Sequence, residues 1–240
     1  KQSLIGLDYL LAAGISPGMF TVVTAANQYK LLDHFDFYVG KGIKKFNFSP
    51  ILHSGKAADK KYDVNINHLI ETNLKLMEKI NLINNECNNI EDYISEVNIS
   101  NLLNNLSSLN IYNLCTLAPC GAGHTMLGFD IDGSFYSCDY FIGNLEFKIG
   151  NIYEVDDIKN SIFRNPSVQN LLKRNIDSIK ECRMCTWKNV CTYHCASDSY
   201  FNHKTLYKPH SMCEYVKKII PRIIDLLYRK KISINNIPPC

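Results

Sequence analysis

The spacing of apolar residues predicts alternating helices and strands at the start of the chain. Apolar positions recur at helical intervals over residues 4–14, and the β-branched run at 19–27 predicts a buried strand. A second helix is predicted at about 28–41, followed by a second strand at 43–51. A helix between two strands is typical of a parallel sheet, which binds ligands beyond the carboxyl ends of its strands.

The hydrophobic pattern changes near residue 110. Helical spacing continues through residues 65–107, so we assign residues 1–110 to one α/β domain. Residues 111–240 are predicted to form a smaller domain, beginning with two apolar runs around Asp132-Gly133 that indicate a β-hairpin at 124–138. The hairpin is followed by the short run KIGNI at 148–152, and the pattern then predicts helices at about 155–175 and 211–230.

Charge and composition exclude several classes of partner. The 240 residues carry a formal net charge of only +3, which does not favour binding to nucleic acid. No run approaches the roughly 18 apolar residues that a membrane helix requires. The first residues also lack the basic region and cleavage pattern of a signal peptide. We therefore expect a cytoplasmic protein with no nucleic-acid or membrane partner.

The cysteines are the most informative residues of the second region. Four of them lie in CRMCTWKNVCTYHC, residues 182–195. Two cysteines separated by two residues direct both sulfurs towards one centre, which suits zinc or an iron–sulfur cluster. Disulfides are not expected in a chain without an export signal. Eight of the ten cysteines are candidate ligands, enough for two four-thiolate centres: Cys115, Cys120, Cys138, Cys182, Cys185, Cys191, Cys195 and Cys213.

The cysteine order resembles the SPASM domain of radical S-adenosylmethionine enzymes. It runs Cys120-x₁₂-Gly133-x₄-Cys138, then Cys182-x₂-Cys185-x₅-Cys191-x₃-Cys195, and ends at Cys213. The resemblance implies the C-terminal part of a partial (β/α)₆ TIM-type barrel, followed by a small cysteine-rich α+β SPASM domain. It also implies two auxiliary [4Fe–4S] clusters, with Cys115, Cys120, Cys138 and Cys195 holding the first and Cys182, Cys185, Cys191 and Cys213 holding the second.

The motif that holds the radical-generating cluster in this family, Cys-x₃-Cys-x₂-Cys, is absent from residues 1–110, where Cys87 is the only cysteine. The segment 4–51 resembles the last units of the family's barrel. We therefore expect this chain to be part of a longer enzyme, which in full length binds S-adenosylmethionine and a radical S-adenosylmethionine [4Fe–4S] cluster. Candidates for the S-adenosylmethionine pocket, which equally fit as strand-end caps, are Thr24, Asn27 and Ser49.

The resemblance implies oxidative modification of a peptide or protein, such as a thioether or carbon–carbon cross-link. The auxiliary clusters would accept or relay electrons, and a flavodoxin or ferredoxin would be the electron donor. Residues 119–154 are similar to the same region of maturases that cross-link ribosomally made peptides.

Two alternatives remain open. Asp139 follows Cys138 directly, and in anaerobic sulfatase-maturing enzymes, which generate formylglycine, an aspartate at this place acts as a base. The same carboxylate equally fits an acceptor that orients the loop. The third interpretation is a non-catalytic zinc-binding module that recognises a partner through its cysteine-rich face.

Overall fold

A computed structural model describes residues 2–57, 60–107, 115 and 117–237, except for the side chains of Lys56 and Lys60. Its helices and strands, in chain order, are α1 (Gln2–Ala12), β1 (Met19–Val23), α2 (Leu31–Gly40), β2 (Lys45–Pro50), α3 (Ile66–Glu86), β3 (Ser95–Glu96), α4 (Val97–Ser107), β4 (Gly128–Phe129), β5 (Ser134–Tyr136), β6 (Lys148–Asn151), α5 (Ile158–Arg164), α6 (Pro166–Lys173), α7 (Lys180–Arg183), α8 (Ala196–His203) and α9 (Cys213–Tyr228).

The chain divides into two compact units. Among the described residues, the first unit comprises 2–52, 60–107 and 214–237, and the second comprises 53–57, 115 and 117–213. All of α9 after Cys213 therefore belongs to the first unit. The assignment of residues 111–240 to a single domain stays a prediction. No helix among the described residues is both long and apolar enough to cross a membrane.

The first unit contains a parallel sheet with the order β1-β2-β3. Met19 pairs with Phe46 and Val23 with Pro50, so the carboxyl ends of β1 and β2 lie at the same edge. Phe46 and Phe48 are buried on one face of β2, and the ring of Phe35 from α2 lies 5.7 Å from that of Phe46, centroid to centroid. The predicted order of strand, helix and strand is therefore confirmed.

The prediction of uninterrupted helical structure over residues 65–107 is wrong at its centre. Helix α3 ends at Glu86, and Ser95–Glu96 forms the third strand, parallel to β2. The buried Asn84 side chain donates to the carbonyl of Ile94 and accepts from its N–H, both at 2.8 Å. A strand of two residues is too short to show an alternating pattern, and its pairing with β2 overrides the helical spacing.

Glu96 is a buried carboxylic acid that connects β2 to α4. It is 1% exposed, and its Oε1 and Oε2 accept hydrogen bonds from the N–H groups of Phe48 and Ile99, both at 2.8 Å. Burial raises the pKa of Glu96 from 4.5 to about 7, although these backbone donors act in the opposite direction. Folding therefore favours the protonated form of Glu96.

The stability of the protein should consequently depend on pH through Glu96. The contribution of Glu96 to the free energy of unfolding is complete below the unfolded-state pKa of 4.5. It is lost as the pH rises through the folded-state pKa of about 7. We expect the free energy of unfolding to fall by about 1.4 kcal/mol per pH unit in this interval from Glu96 alone. Urea unfolding at several pH values measures this slope, which Glu96→Gln should flatten. Glu86→Gln, at an exposed position, is the control, and equal slopes in the two variants would contradict the assignment.

The second unit contains an antiparallel sheet with the order β4-β5-β6. The hairpin predicted around Asp132-Gly133 is confirmed, with Gly133 at φ +83°, a conformation that L-residues with a side chain rarely adopt. Asp132 accepts hydrogen bonds from the N–H and hydroxyl of Ser134 at 2.8 and 2.9 Å. This turn fixes the start of β5, which leads to Cys138.

The single helix predicted at about 155–175 is instead two helices. Asn165 caps the second of them by accepting from the N–H of Ser167 at 2.9 Å. Pro166 occupies the first helical position, where its missing N–H costs nothing, but it cannot continue the preceding helix. This break sets the direction of α6, which ends at Lys173 beside Arg174.

Candidate metal centre

Four of the predicted ligands line one cavity of the second unit. The cavity has a volume of about 20 Å³. Its cysteines come from sequence positions as far apart as 115 and 195. Cys120 and Cys138 are buried, whereas Cys115 is exposed. The lining residues are Cys115, Cys120, Ala122, Met126, Cys138, Asp139, Tyr140, Phe141, Cys195, Ala196 and Ser197.

Backbone geometry fixes Cys138 at this cavity. The residue follows β5 and precedes a short 3₁₀ turn at Asp139–Phe141, whose Tyr140 and Phe141 N–H groups donate towards the sulfur. Strand β4 passes so close that a Cβ on Gly128 would lie 2.6 Å from the carbonyl oxygen of Cys138. Only glycine fits at position 128, because the two backbone segments lie so close together there.

Cys195 reaches the same cavity from the start of α8. Its Sγ lies 3.0 Å from the hydroxyl of Ser197, and the N–H of Asp198 also points to the sulfur. Exposed N–H groups in the first turn of a helix favour a negative charge. Ser197 was not predicted from the sequence, because a serine at the start of a helix is usually explained by capping.

The thiols of this group raise one another's pKa values. Burial raises the pKa of Cys138 to about 12, and the neighbouring Cys195 contributes in the same direction. Crowded, buried thiols favour the neutral form unless a positively charged centre stabilises the thiolates. The donor set therefore fits a cationic group bound by sulfur, which deprotonates its ligands.

The other four cysteines form a second group in the same unit. The N–H of Cys185 donates to the carbonyl of Cys182 at 3.0 Å, which closes the tight turn expected for this spacing. Burial raises the pKa of Cys191 to about 12. A backbone hydrogen bond with Tyr193 lowers this pKa, and Cys182, Cys213 and Cys185 raise it further. For Cys182 the pKa is also raised, first by burial and then by Cys213 and Cys185.

The structure thus brings the eight cysteines together in two groups of four, and their assignment as cluster ligands stays a prediction. Within the described part of the chain, no three His, Cys, Asp or Glu side chains form a site for a single metal ion. The two groups are called the first group (Cys115, Cys120, Cys138 and Cys195) and the second group (Cys182, Cys185, Cys191 and Cys213) below.

Asp139 is an exposed carboxylate at the edge of the first cavity. It is close enough to raise the pKa of Cys115, after burial and the thiols of Cys195 and Cys120. Its position beside the cavity and in solvent leaves the carboxylate accessible to a bound molecule. Its role as a base stays a prediction.

Thr24, Asn27 and Ser49 lie in the first unit, at or near the carboxyl ends of β1 and β2. Asn27 Oδ1 accepts from the N–H of Thr24 at 2.8 Å, and Asn27 Nδ2 donates to the carbonyl of Val22 at 2.9 Å. These bonds make Thr24 and Asn27 a turn that caps the strand. Ser49 pairs with Val22 in the sheet register. Their assignment to an S-adenosylmethionine pocket stays a prediction.

Comparison with known proteins supports the resemblance. Residues 120–186 match the family model of the SPASM iron–sulfur cluster-binding domain. A protein of Archaeoglobus fulgidus described as uncharacterized is 31% identical over 115 residues, which are 48% of this chain and 27% of that protein. This chain therefore spans about a quarter of the length of that relative.

Two solved structures share the fold. Native anSMEcpe with bound AdoMet (S-adenosylmethionine) has a TM-score of 0.71 at 15% identity, covering 96% of this chain and 60% of that one. SuiB of Streptococcus suis bound to S-adenosylmethionine has a TM-score of 0.56 at 16% identity, covering 87% of this chain and 47% of SuiB. The predicted resemblance to a SPASM domain is confirmed over residues 120–186, and the two solved structures confirm the α/β fold class. Residues 120–186 of this chain are therefore similar to the SPASM iron–sulfur cluster-binding domain, and the chain shares the fold of anSMEcpe and SuiB.

Proposed function

We propose that this chain is part of a radical S-adenosylmethionine enzyme that oxidatively modifies a peptide or protein, forming a side-chain cross-link such as a thioether or carbon–carbon bond. The observation that carries the proposal is the cavity lined by the first group of thiols, with the exposed carboxylate of Asp139 beside it. A sulfur-ligand site next to an accessible base suits a reaction that removes both a proton and electrons from a substrate.

The first group and the second group each contain four cysteine sulfurs, the number that a [4Fe–4S] cluster uses. We therefore assign one auxiliary cluster to each group. When bound, such a cluster accepts or passes on one electron at a potential set by its surroundings. The chain's own residues shape those surroundings. The rings of Phe141 and Phe147 stack at a centroid distance of 3.6 Å, and Tyr200 meets Phe147 edge-on at 4.8 Å. These aromatic side chains exclude water from one side of the first group.

Asp139 acts in this proposal on protons alone. Its carboxylate oxygen takes the proton from the substrate side chain, and a cluster held by the first group would accept the electron. Peptides are the favoured substrate class, since two of the solved anSMEcpe structures contain the peptides Kp18Cys and Cp18Cys. We propose a cytoplasmic setting, with a flavodoxin or ferredoxin as the electron donor.

Exposed apolar residues at the edge of the parallel sheet favour a larger barrel in the complete protein. Strand β1 is an edge strand, yet Phe20 and Val22 are 62% and 47% exposed. Parallel strands are usually covered on both faces and carry apolar residues for that reason. We propose that further strands and the radical cluster are supplied by another part of the enzyme. Thr24, Asn27 and Ser49 would then contact S-adenosylmethionine at the strand ends.

Formylglycine formation on a sulfatase is the second candidate function. The position of Asp139, directly after Cys138 and exposed beside the cavity, favours it. Mass spectrometry of a treated peptide separates the two reactions. An aldehyde that reacts with a hydrazide indicates formylglycine, whereas a bond that persists between two side chains indicates cross-linking.

Analysis of metal content tests the assignment of the two thiol groups. We expect oxygen-free, reconstituted protein to bind about eight iron and eight sulfide ions per chain, four of each per cluster, and to be brown. Plasma emission spectrometry and sulfide determination measure these contents. Stoichiometric zinc with negligible iron after reconstitution would overturn the proposal and indicate the non-catalytic binding module.

A further inference from the structure

Arg174 is the largest fully buried side chain of the second unit. It follows α6 and is 1% exposed. All three kinds of guanidinium nitrogen donate hydrogen bonds: Nε to the carbonyl of Leu206 at 2.6 Å, Nη1 to the carbonyl of His194 at 2.8 Å, and Nη2 to the hydroxyl of Ser199 at 3.1 Å. The guanidinium is therefore held in one orientation by three separate segments.

These partners satisfy the hydrogen bonds of Arg174 but not its charge. Two backbone carbonyls and a hydroxyl are neutral, and no carboxylate in the described residues forms an ion pair with this arginine. An arginine remains charged in proteins even when it is buried. A buried charge without a counterion is strongly destabilising. The fold therefore requires negative charge near Arg174 from another source.

Both thiol groups lie within electrostatic range of Arg174. Burial lowers the pKa of Arg174, while Cys120, Cys195 and Cys182 act in the opposite direction. Cys120 and Cys195 belong to the first group, and Cys182 belongs to the second. The hydrogen bonds place Arg174 beside the first group, because His194 precedes Cys195 and the Ser199 hydroxyl also donates to the carbonyl of Cys195 at 3.3 Å.

We propose that Arg174 is a counterion shared by the two thiol groups, a fixed positive charge that holds the reduction potentials of both auxiliary clusters higher than they would otherwise be. This inference rests on the proposed occupancy of the two groups. A cluster bound by four thiolates becomes more negative by one charge when it is reduced. A nearby positive charge therefore stabilises the reduced form more than the oxidised form.

Redox titration of charge variants tests this role. The neutral variants are Arg174→Gln and the apolar Arg174→Met, and Arg174→Lys retains the charge without the forked geometry. Lys173→Gln is the matched control, because it removes one positive charge from the neighbouring exposed residue. Each protein is reconstituted without oxygen and analysed for iron, and the reduced clusters are then followed by electron paramagnetic resonance at controlled potentials.

For both clusters, we expect the neutral variants to show about a tenfold higher ratio of oxidised to reduced form at a fixed ambient potential, equivalent to about 59 mV for one electron. Arg174→Lys and Lys173→Gln should titrate like the wild type. Wild-type potentials in Arg174→Gln or Arg174→Met would overturn the inference while leaving the proposed clusters in place. A shift confined to one cluster would overturn the shared role.

Iron content decides the case in which the neutral variants do not load clusters. If Arg174→Lys binds the wild-type amount of iron while both neutral variants bind little, the requirement is for charge, which supports the inference. If Arg174→Lys loses iron as the neutral variants do, the forked hydrogen bonds are what matters and the inference is overturned. Wild-type protein without iron would overturn both the proposed function and this inference.

Discussion

Alanine in place of Cys195 is expected to remove about half of the bound iron, about four ions of eight, and to leave the rest bound. The reason is that Cys195 lines the first cavity with Cys138, whereas Cys191, only four residues earlier, is influenced by Cys182, Cys213 and Cys185. Iron and sulfide determination on anaerobically reconstituted variants measures the loss. Cys191→Ala should remove the other half.

Double variants make this prediction sharper. Cys138→Ala combined with Cys195→Ala should lose no more iron than either single change, because both residues line the same cavity. Cys191→Ala combined with Cys195→Ala should lose nearly all of the iron. Cys87→Ala, outside both groups at the end of α3, is the control and should retain the full content. Equal loss in the two double variants would mean that the eight cysteines do not act as two independent sets.

Asparagine in place of Asp139 is expected to reduce turnover of the complete enzyme by about 10²–10⁴-fold, the usual contribution of a general base. The change preserves the size of the side chain and removes its ability to accept a proton. Because Asp139 is exposed and is not one of the thiols, the iron content should stay at the wild-type level. Product formation by mass spectrometry and iron content are measured on the same preparation.

The two readouts separate a base from a structural residue. If Asp139 served only to orient the loop after Cys138, Asp139→Asn would lower the iron content of the first group along with turnover. The exposed Asp156 provides a control of the same type, and Asp156→Asn should retain both activity and iron. Wild-type turnover in Asp139→Asn would exclude its role as the base.

Local patterns in the sequence predicted those parts of the structure that short-range chemistry determines. Asp132-Gly133 marks the hairpin because few residues other than glycine accept the required positive φ. The cysteine spacings identified eight residues that the fold does collect into two sets. The two-residue strand β3 was missed, since only its pairing with β2 makes it a strand.

Long-range contacts account for most of what the sequence did not indicate. Arg174 has no distinguishing neighbours in the chain, and its importance is visible only because Leu206, His194 and Ser199 fold around it. Glu96 is similar, because a lone glutamate beside a helix start usually lies on the surface. In both cases a charged side chain lies where solvent is excluded, and the identity of a single charged residue does not predict that it is buried.

The short interval between Cys191 and Cys195 restricts how this loop can vary in length. The chain passes from one set of sulfurs to the other within four peptide steps, which span at most about 14 Å when fully extended. We expect one inserted or deleted residue in so short a segment to shift a ligand in at least one set. Insertions in related chains should therefore accumulate elsewhere, for example in the exposed segment between β6 and α5.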